Sequence, residues 1–209
     1  MRLVLASNNA KKLAELQTLF AGLPLDLVTQ GSLGIAEAEE PHLTFVENAL
    51  VKARHAARAS GLAAIADDSG LCVAALGGAP GVQSAHYAGE LGAAGDRETR
   101  RRAQDAANNI RLLECMSGRT DRGVRFVSTL VALRHADDPE PLIAFGRWEA
   151  TLLTAARGQG GFGYDPLVWI ESLGASVAQL GAVQKNALSH RALAAAHMRG
   201  LMRDAWAIA

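Results

Sequence analysis

Four short stretches of the chain carry side chains whose chemistry goes beyond what folding requires. Ser7-Asn8-Asn9-Ala10-Lys11-Lys12 joins an apolar run to a segment of helical period, and sets a hydroxyl, two amides and two ammonium groups at a helix N-terminus. Free backbone amides and the positive dipole end make such a turn a ready anion site, onto which Lys12 can project its charge. A capped helix with solvent-facing lysines fits the same residues. Glu37, Glu39 and Glu40 precede a second helical segment, and Asp67-Asp68-Ser69-Gly70 closes a short apolar strand. Adjacent carboxylates at a strand end repel unless a cation or hydrogen bonds offset them. Oxygen ligands of this kind suit magnesium, which keeps several waters and bridges to phosphates. A solvated acidic turn accounts for them equally well. Lys52, in mid-helix after the glutamates, reads either as a further phosphate contact or as an ordinary solvated lysine.

The fourth stretch, "GQGGFGYDP" at Gly158 to Pro166, contains the spacing G-x-G-x-x-G. A dinucleotide turn of that form must open a helix, whose N-terminus holds the phosphates. Here Asp165-Pro166 and an apolar run, Leu167 to Ile170, follow at once and read as a short strand, so the glycines serve another purpose. The run Arg97, Arg100, Arg101, Arg102 invites a nucleic-acid reading, but no aromatics interleave with it and a solvated helix face is the simpler account. Cys72 and Cys115 lack metal-type spacing and the histidines show no H-E-x-x-H pattern, so zinc is not indicated.

The elements that must position these residues follow from periodicity. Arg2 to Ala6 reads as a buried strand, and Leu13, Leu16, Leu19 and Phe20 mark the first helix. Thr44 and Glu47 have capping-box spacing for a helix running to Gly61, followed by a strand from Leu62 to Ala66 that ends at the aspartates. Residues 77–96 form a long irregular segment, 97–116 a helix, 125–134 and 142–153 two consecutive strands, and 189–207 the last helix. Alternating strands and helices predict an α/β fold, and the two strands without an intervening helix predict a mixed sheet. With no repeat or linker, residues 1–209 are expected to form a single domain.

Composition limits the partner. At 209 residues, 49% apolar and 20% charged with zero formal net charge, the chain reads as a soluble globular protein whose partner is a small molecule. A dedicated nucleic-acid binder usually shows a basic excess, so no stable nucleic-acid partner is expected. No apolar stretch is long enough to span a bilayer, and Leu3 to Ala6 is shorter than a signal-peptide core, so no membrane association and a cytoplasmic location are expected.

In order along the chain, "LASNNAKKLAEL", "AEEPHLTFVENALVKA", "IADDSGLCVAALGGAPGVQSAHYAG", "GQGGFGYDP" and "QKNALSHRAL" together resemble the inosine triphosphate pyrophosphatase family. Members hydrolyse non-canonical purine nucleoside triphosphates to monophosphate and pyrophosphate. The resemblance implies an elongated α/β structure, a mixed central β-sheet flanked by helices in two lobes with an active-site cleft, commonly as a homodimer. It implies dITP, ITP and XTP as substrates and Mg2+ as cofactor, held by Glu40 and Asp68. Asp68 would also activate water, while Lys12 stabilises charge on the phosphates. Ser7, Asn8, Asn9, Ala10, Lys11 and Lys12 fall on the triphosphate positions, joined by Lys52 and Ser69. Phe162, Gly163, Tyr164, Asp165, Lys185, His190 and Arg191 fall on the base-recognising positions. The chain departs from the usual pattern at Asn8, where glycine is common, and at Ala74, His86 and Val183-Gln184. The related septum-inhibitor type shares the fold, but its usual Ser-Pro-Arg-Arg opening is absent here. A nucleotide-binding regulator without turnover and an RNA-binding module are the readings from other classes.

Overall fold

The computed structural model describes residues 1–92 and 94–208, with Arg97 described by its backbone alone. Strand β1 (Arg2–Leu5) leads through the polar turn into helix α1 (Ala10–Leu19), and β2 (Asp26–Thr29) follows. Helix α2 (Phe45–Ser60) begins where Thr44 Oγ accepts from the Glu47 amide at 3.3 Å, and ends at Gly61 in the left-handed region. Then come β3 (Ala63–Val73), α3 (Arg97–Cys115), β4 (Gly123–Leu133) and β5 (Leu142–Leu152). The chain closes with β6 (Val168–Ile170), β7 (Ala175–Ser176), α4 (Ala182–Leu188) and α5 (His190–Trp206).

The strands join one sheet in the order β2-β1-β3-β4-β5-β6-β7. β1 is parallel to both β2 and β3, whereas β6 is antiparallel to β5 and to β7, so the sheet is mixed as expected. The chain divides into two compact units, one of Met1–Ser69, Ser128–Arg147 and Asn186–Ala209, the other of Gly70–Val127 and Trp148–Lys185.

In the first unit the side-chain period of two sorts each strand between two cores. Leu3, Leu5, Ile65 and Leu130 face Leu16 and Phe20 of α1 and Ala194, Ala195 and Met198 of α5. Val4, Ala64, Ala66 and Val131 on the alternate positions face Ala49, Ala53, Ala56 and Ala57 of α2. Burial on both faces is why "RLVLA" reads as a continuous apolar run rather than an alternating one. In the second unit Leu112 of α3 and Met116, which caps it, pack with Leu71, Val73, Val124 and Phe126.

Two expectations change. β3 does not stop at Ala66 but continues through both aspartates to Val73, because those carboxylates are paired inside the protein rather than facing solvent. The short elements β2, β7 and α4 carry too few periodic positions to be seen in the sequence. Among the described residues no helix is long and apolar enough to cross a membrane.

Gly146 of β5 lies against the first turn of α5, where a Cβ would come within 1.8 Å of the His190 carbonyl oxygen and 2.6 Å of the Ala194 nitrogen. Both neighbours are backbone and cannot rotate away, so the helix itself must move. Gly146→Ala is expected to lower stability by about 3 kcal/mol, the upper range for an overpacked site. Urea denaturation measures this, and a loss below about 1 kcal/mol would mean that α5 tolerates displacement.

Candidate active site

Asp67 sits in β3 with its side chain fully buried. Its Oδ2 accepts from Arg191 Nε at 3.2 Å and Nη2 at 3.0 Å, and lies 3.0 Å from Lys12 Nζ. Its Oδ1 accepts from Ser128 Oγ at 2.8 Å. Ser69 bridges the group, donating to Asp67 Oδ2 at 3.2 Å and accepting from Arg191 Nη2 at 3.1 Å. Arg191 also donates through Nη1 to Glu15 of α1. Burial alone would raise the Asp67 carboxyl, but the charges of Arg191 and Lys12, with hydrogen bonds from Lys12 and Ser128, hold it well below the usual carboxylate range. Burial draws the Lys12 ammonium down, with Arg191 and Lys52 adding to the effect against the attraction of Asp67.

One residue on, Asp68 joins a second group. Lys52 Nζ donates to Asp68 Oδ1 at 2.8 Å, to Glu40 Oε2 at 2.9 Å and to the Asp67 carbonyl at 3.2 Å. Burial pushes the Asp68 carboxyl up to about 6, with Glu40 adding to the shift and Lys52 opposing it. Lys52 itself, despite burial, is raised by the two carboxylates. The other oxygen of Asp68, Oδ2, is buried with no hydrogen-bond partner among the described residues.

Glu40 reaches this group from an irregular segment, so something must hold the segment. α2 does so through residues one turn apart on its buried face. Asn48, itself buried, accepts from the His42 amide at 3.0 Å and donates to the His42 carbonyl at 3.2 Å, while Lys52 takes Glu40. Neither Asn48 nor Glu15 stood out in the sequence. Their signal was present only as polar residues at positions that a helix of this period buries. Glu37 and Glu39 are exposed along the same segment.

The turn after β1 is organised by its own side chains. Asn9 caps α1 by accepting from the Lys11 and Lys12 amides at 3.1 and 3.2 Å, and Ser7 Oγ accepts from the Asn9 amide at 3.2 Å. Three of the amides expected to meet an anion are therefore engaged within the turn. Asn8 rests on the bare backbone of Gly31, where a Cβ would lie 2.3 Å from Asn8 Oδ1. A side chain at position 8 is thus matched by its absence at position 31.

The base-loop residues fall in the second unit. Asp165 is buried, and its Oδ2 accepts from the Phe162 amide at 2.9 Å and from Lys185 Nζ at 2.9 Å. Lys185 Nζ stands 4.3 Å from the centre of the Phe162 ring. Tyr164 is buried and donates to the Ser84 carbonyl at 2.9 Å, and burial holds its phenol well above the ordinary range. Gly161 must be glycine twice over, having φ +71° and a Cβ position 2.1 Å from Asp165 Oδ2.

Of the residues expected in the site, Lys12, Lys52, Glu40, Asp68, Ser69 and Arg191 are linked by contacts in the first unit, and Phe162, Asp165 and Lys185 by contacts in the second. Arg191, expected among the base positions, belongs to the Asp67 group, and His190 beside it is buried in the same helix turn.

Two adjacent carboxylates, one with an unpartnered buried oxygen, are set among buried ammonium groups on a mixed α/β sheet, an arrangement suited to phosphorylated small molecules. The Ham1 family model matches residues 3–201, and the chain belongs to that family. A dITP/XTP pyrophosphatase of Methylibium petroleiphilum is 70% identical over 206 residues, covering 99% of each chain. A protein of the same description from Leptothrix cholodnii is 69% identical over the whole of both chains. Among solved structures, a HAM1 protein from Coxiella burnetii is 40% identical with a TM-score of 0.87, covering 98% of this chain and 100% of its own.

The two aspartates are expected to separate when each is made neutral. Asp67→Asn removes the carboxylate that Lys12 faces and leaves Arg191 with Glu15 alone, and should cost about 3–5 kcal/mol, the scale for breaking a buried pair. Asp68→Asn removes a charge that burial already disfavours, and should fold with stability equal to or above the unmodified protein. Denaturant titration of both variants at pH 7 makes the comparison. Equal losses would mean that the two carboxylates are not differently engaged.

Proposed function

We propose that this chain is a magnesium-dependent nucleoside-triphosphate pyrophosphohydrolase that acts on non-canonical purine nucleotides, dITP, ITP and XTP, and so keeps them out of nucleic acid. The observation that carries the reading is Asp68, a buried carboxylate pushed up to about 6 with one oxygen unpartnered, in a chain 70% identical to a dITP/XTP pyrophosphatase. Its donor set fits a divalent cation. Asp68 Oδ2 is an orphaned oxygen, Glu40 supplies a second carboxylate, and magnesium commonly takes one or two carboxylates with waters and phosphate oxygens completing the shell. Among the described residues no group of three or more His, Cys, Asp or Glu is placed to hold a metal ion.

When bound, magnesium would neutralise phosphate charge and polarise the reacting phosphorus. Asp68 accepts a proton from the attacking water as the new oxygen–phosphorus bond forms at the α-phosphate. The bond from that phosphorus to the bridging oxygen breaks, and pyrophosphate leaves with the electron pair. Lys12 offers its charge to the phosphates, and Ser7, Asn8, Asn9, Ala10 and Lys11 shape the turn that receives them. Lys52 holds Asp68 and Glu40 together. In the base loop, Asp165 orders the backbone of Phe162, which offers its ring for stacking, and Lys185 can donate to a 6-oxo group. We also propose a cytoplasmic location and a homodimer, the latter to be read by light scattering.

With magnesium and a panel of nucleoside triphosphates, the products of ITP should be IMP and pyrophosphate, separated by chromatography. IDP and orthophosphate would place the attack on another phosphorus. In the same assay Asp68→Asn should lower kcat by at least about a hundredfold, the scale for losing a general base.

The Asp68 proton gives an independent test. A carboxyl raised in the folded state stabilises the protein at pH below the ordinary carboxylate value, and that stabilisation is lost as pH rises through about 6. The metal-free protein should therefore lose this contribution between about pH 4 and pH 6, and Mg2+ should raise Tm at pH 7 more than at pH 5 because protons compete for the same oxygen. In Asp68→Asn both effects should shrink; if they persist unchanged, another group is titrating.

A further inference from the structure

Helix α3 approaches the base loop with three residues spaced one turn apart: Arg101, Asp105 and Asn109. The Arg101 guanidinium carbon lies 5.0 Å from the centre of the Phe162 ring. Asp105 Oδ2 accepts from the Gly163 amide at 2.8 Å, and Asn109 Nδ2 donates to the Gly163 carbonyl at 2.8 Å. Both backbone groups of Gly163 are therefore held by one helix face, at a residue whose φ of +62° no side chain readily adopts. Asn109 Nδ2 also donates to the Asp105 carbonyl at 2.8 Å, fixing its own orientation. The arginine run expected to face solvent thus divides, Arg102 pairing with Glu98 while Arg101 turns to the aromatic ring.

We infer that the Arg101–Asp105–Asn109 stripe of α3 is a specificity-determining support, which holds Phe162 and Gly163 as a rigid platform for the purine base. The inference rests on the purine-triphosphate reading and adds to it three positioning residues that do not themselves take part in the chemistry. A loop held from Asp165 and Lys185 alone would keep the Phe162 amide and ring in place but leave both polar groups of Gly163 without partners. With the stripe in place, the ordering entropy is lost on folding rather than on binding the base. Loss of a stripe residue should therefore raise KM for the favoured base with little change in kcat, because the interaction is made equally in ground and transition states.

Steady-state kinetics with ITP and ATP, each with magnesium, test this on the full chain. Asp105→Ala should raise KM for ITP by about tenfold, with kcat within about twofold, and narrow the ratio of ITP to ATP kcat/KM. Arg101→Met, which keeps an apolar stem but removes the cation, should raise KM by about threefold, and Arg101→Lys should recover most of that. Arg101 is partly exposed, so its variants carry the test if Asp105→Ala fails to fold. The support is overturned if KM and the ITP to ATP ratio stay within about twofold in the folded variants, or if kcat falls while KM does not. An unmodified protein that prefers ATP would instead overturn the non-canonical, 6-oxopurine reading itself, and is seen before any variant is made.

Discussion

A carboxylate without contact with water can remain ionised only where opposite charge and hydrogen bonds replace its hydration. Asp67 is that carboxylate, and much of the first unit is arranged to meet its requirement. It draws Lys12 from α1, Arg191 from α5 and Ser128 from β4 onto one residue of β3. Those partners come from elements that also pack apolar residues on the same strands, so the polar contact and the core constrain one another. Pairs of this kind add little net stability over an apolar alternative, but they fix geometry sharply. Arg191 at the start of α5 must lie where Gly146 leaves room for the helix backbone.

Counting charges shows why the neighbouring aspartate behaves differently. Around Asp67 the two cations, Lys12 and Arg191, meet two anions, Asp67 and Glu15. Around Lys52 one cation meets two anions, Glu40 and Asp68. The second group carries surplus negative charge, and the burial of Asp68 with repulsion from the partly exposed Glu40 is what pushes Asp68 up to about 6. Adjacent residues of the same type are thus driven apart in protonation by their surroundings, one held as a permanent anion and one left open to a proton or a cation.

The glycine-rich loop of the second unit answers to a related rule. Its acidic residue does not point into open space but closes on the loop, taking the Phe162 amide and Lys185. Gly161 permits that closure because a side chain there would occupy the position of Asp165 Oδ2. Resemblance of the spacing to a dinucleotide turn is therefore incidental, since the glycines make room for a carboxylate of the same loop. The segment leads into a 3-10 turn at Asp165–Leu167 and then β6, not into a phosphate-binding helix.

Period and punctuation in the sequence were enough to determine β1, α1, α2, α3, β4, β5 and α5, because each is long or strongly patterned and ends at a cap or glycine. The residue types of the site were legible too, since clustered Lys, Asp and Glu beside apolar runs have few uses. What the sequence left undecided was the pairing. Nothing local distinguishes Asp67 from Asp68, yet successive strand residues point to opposite faces, and only the packed helices decide which charges each one meets. The same holds for Arg191, which falls by its motif on a base-recognising position and whose carboxylate partner lies 124 residues away. Arg101 looked like one of a solvated run because its partner ring comes from a distant loop. Local pattern fixes which way a side chain points along its own element; the charge that it meets there is set by which other elements bury against it.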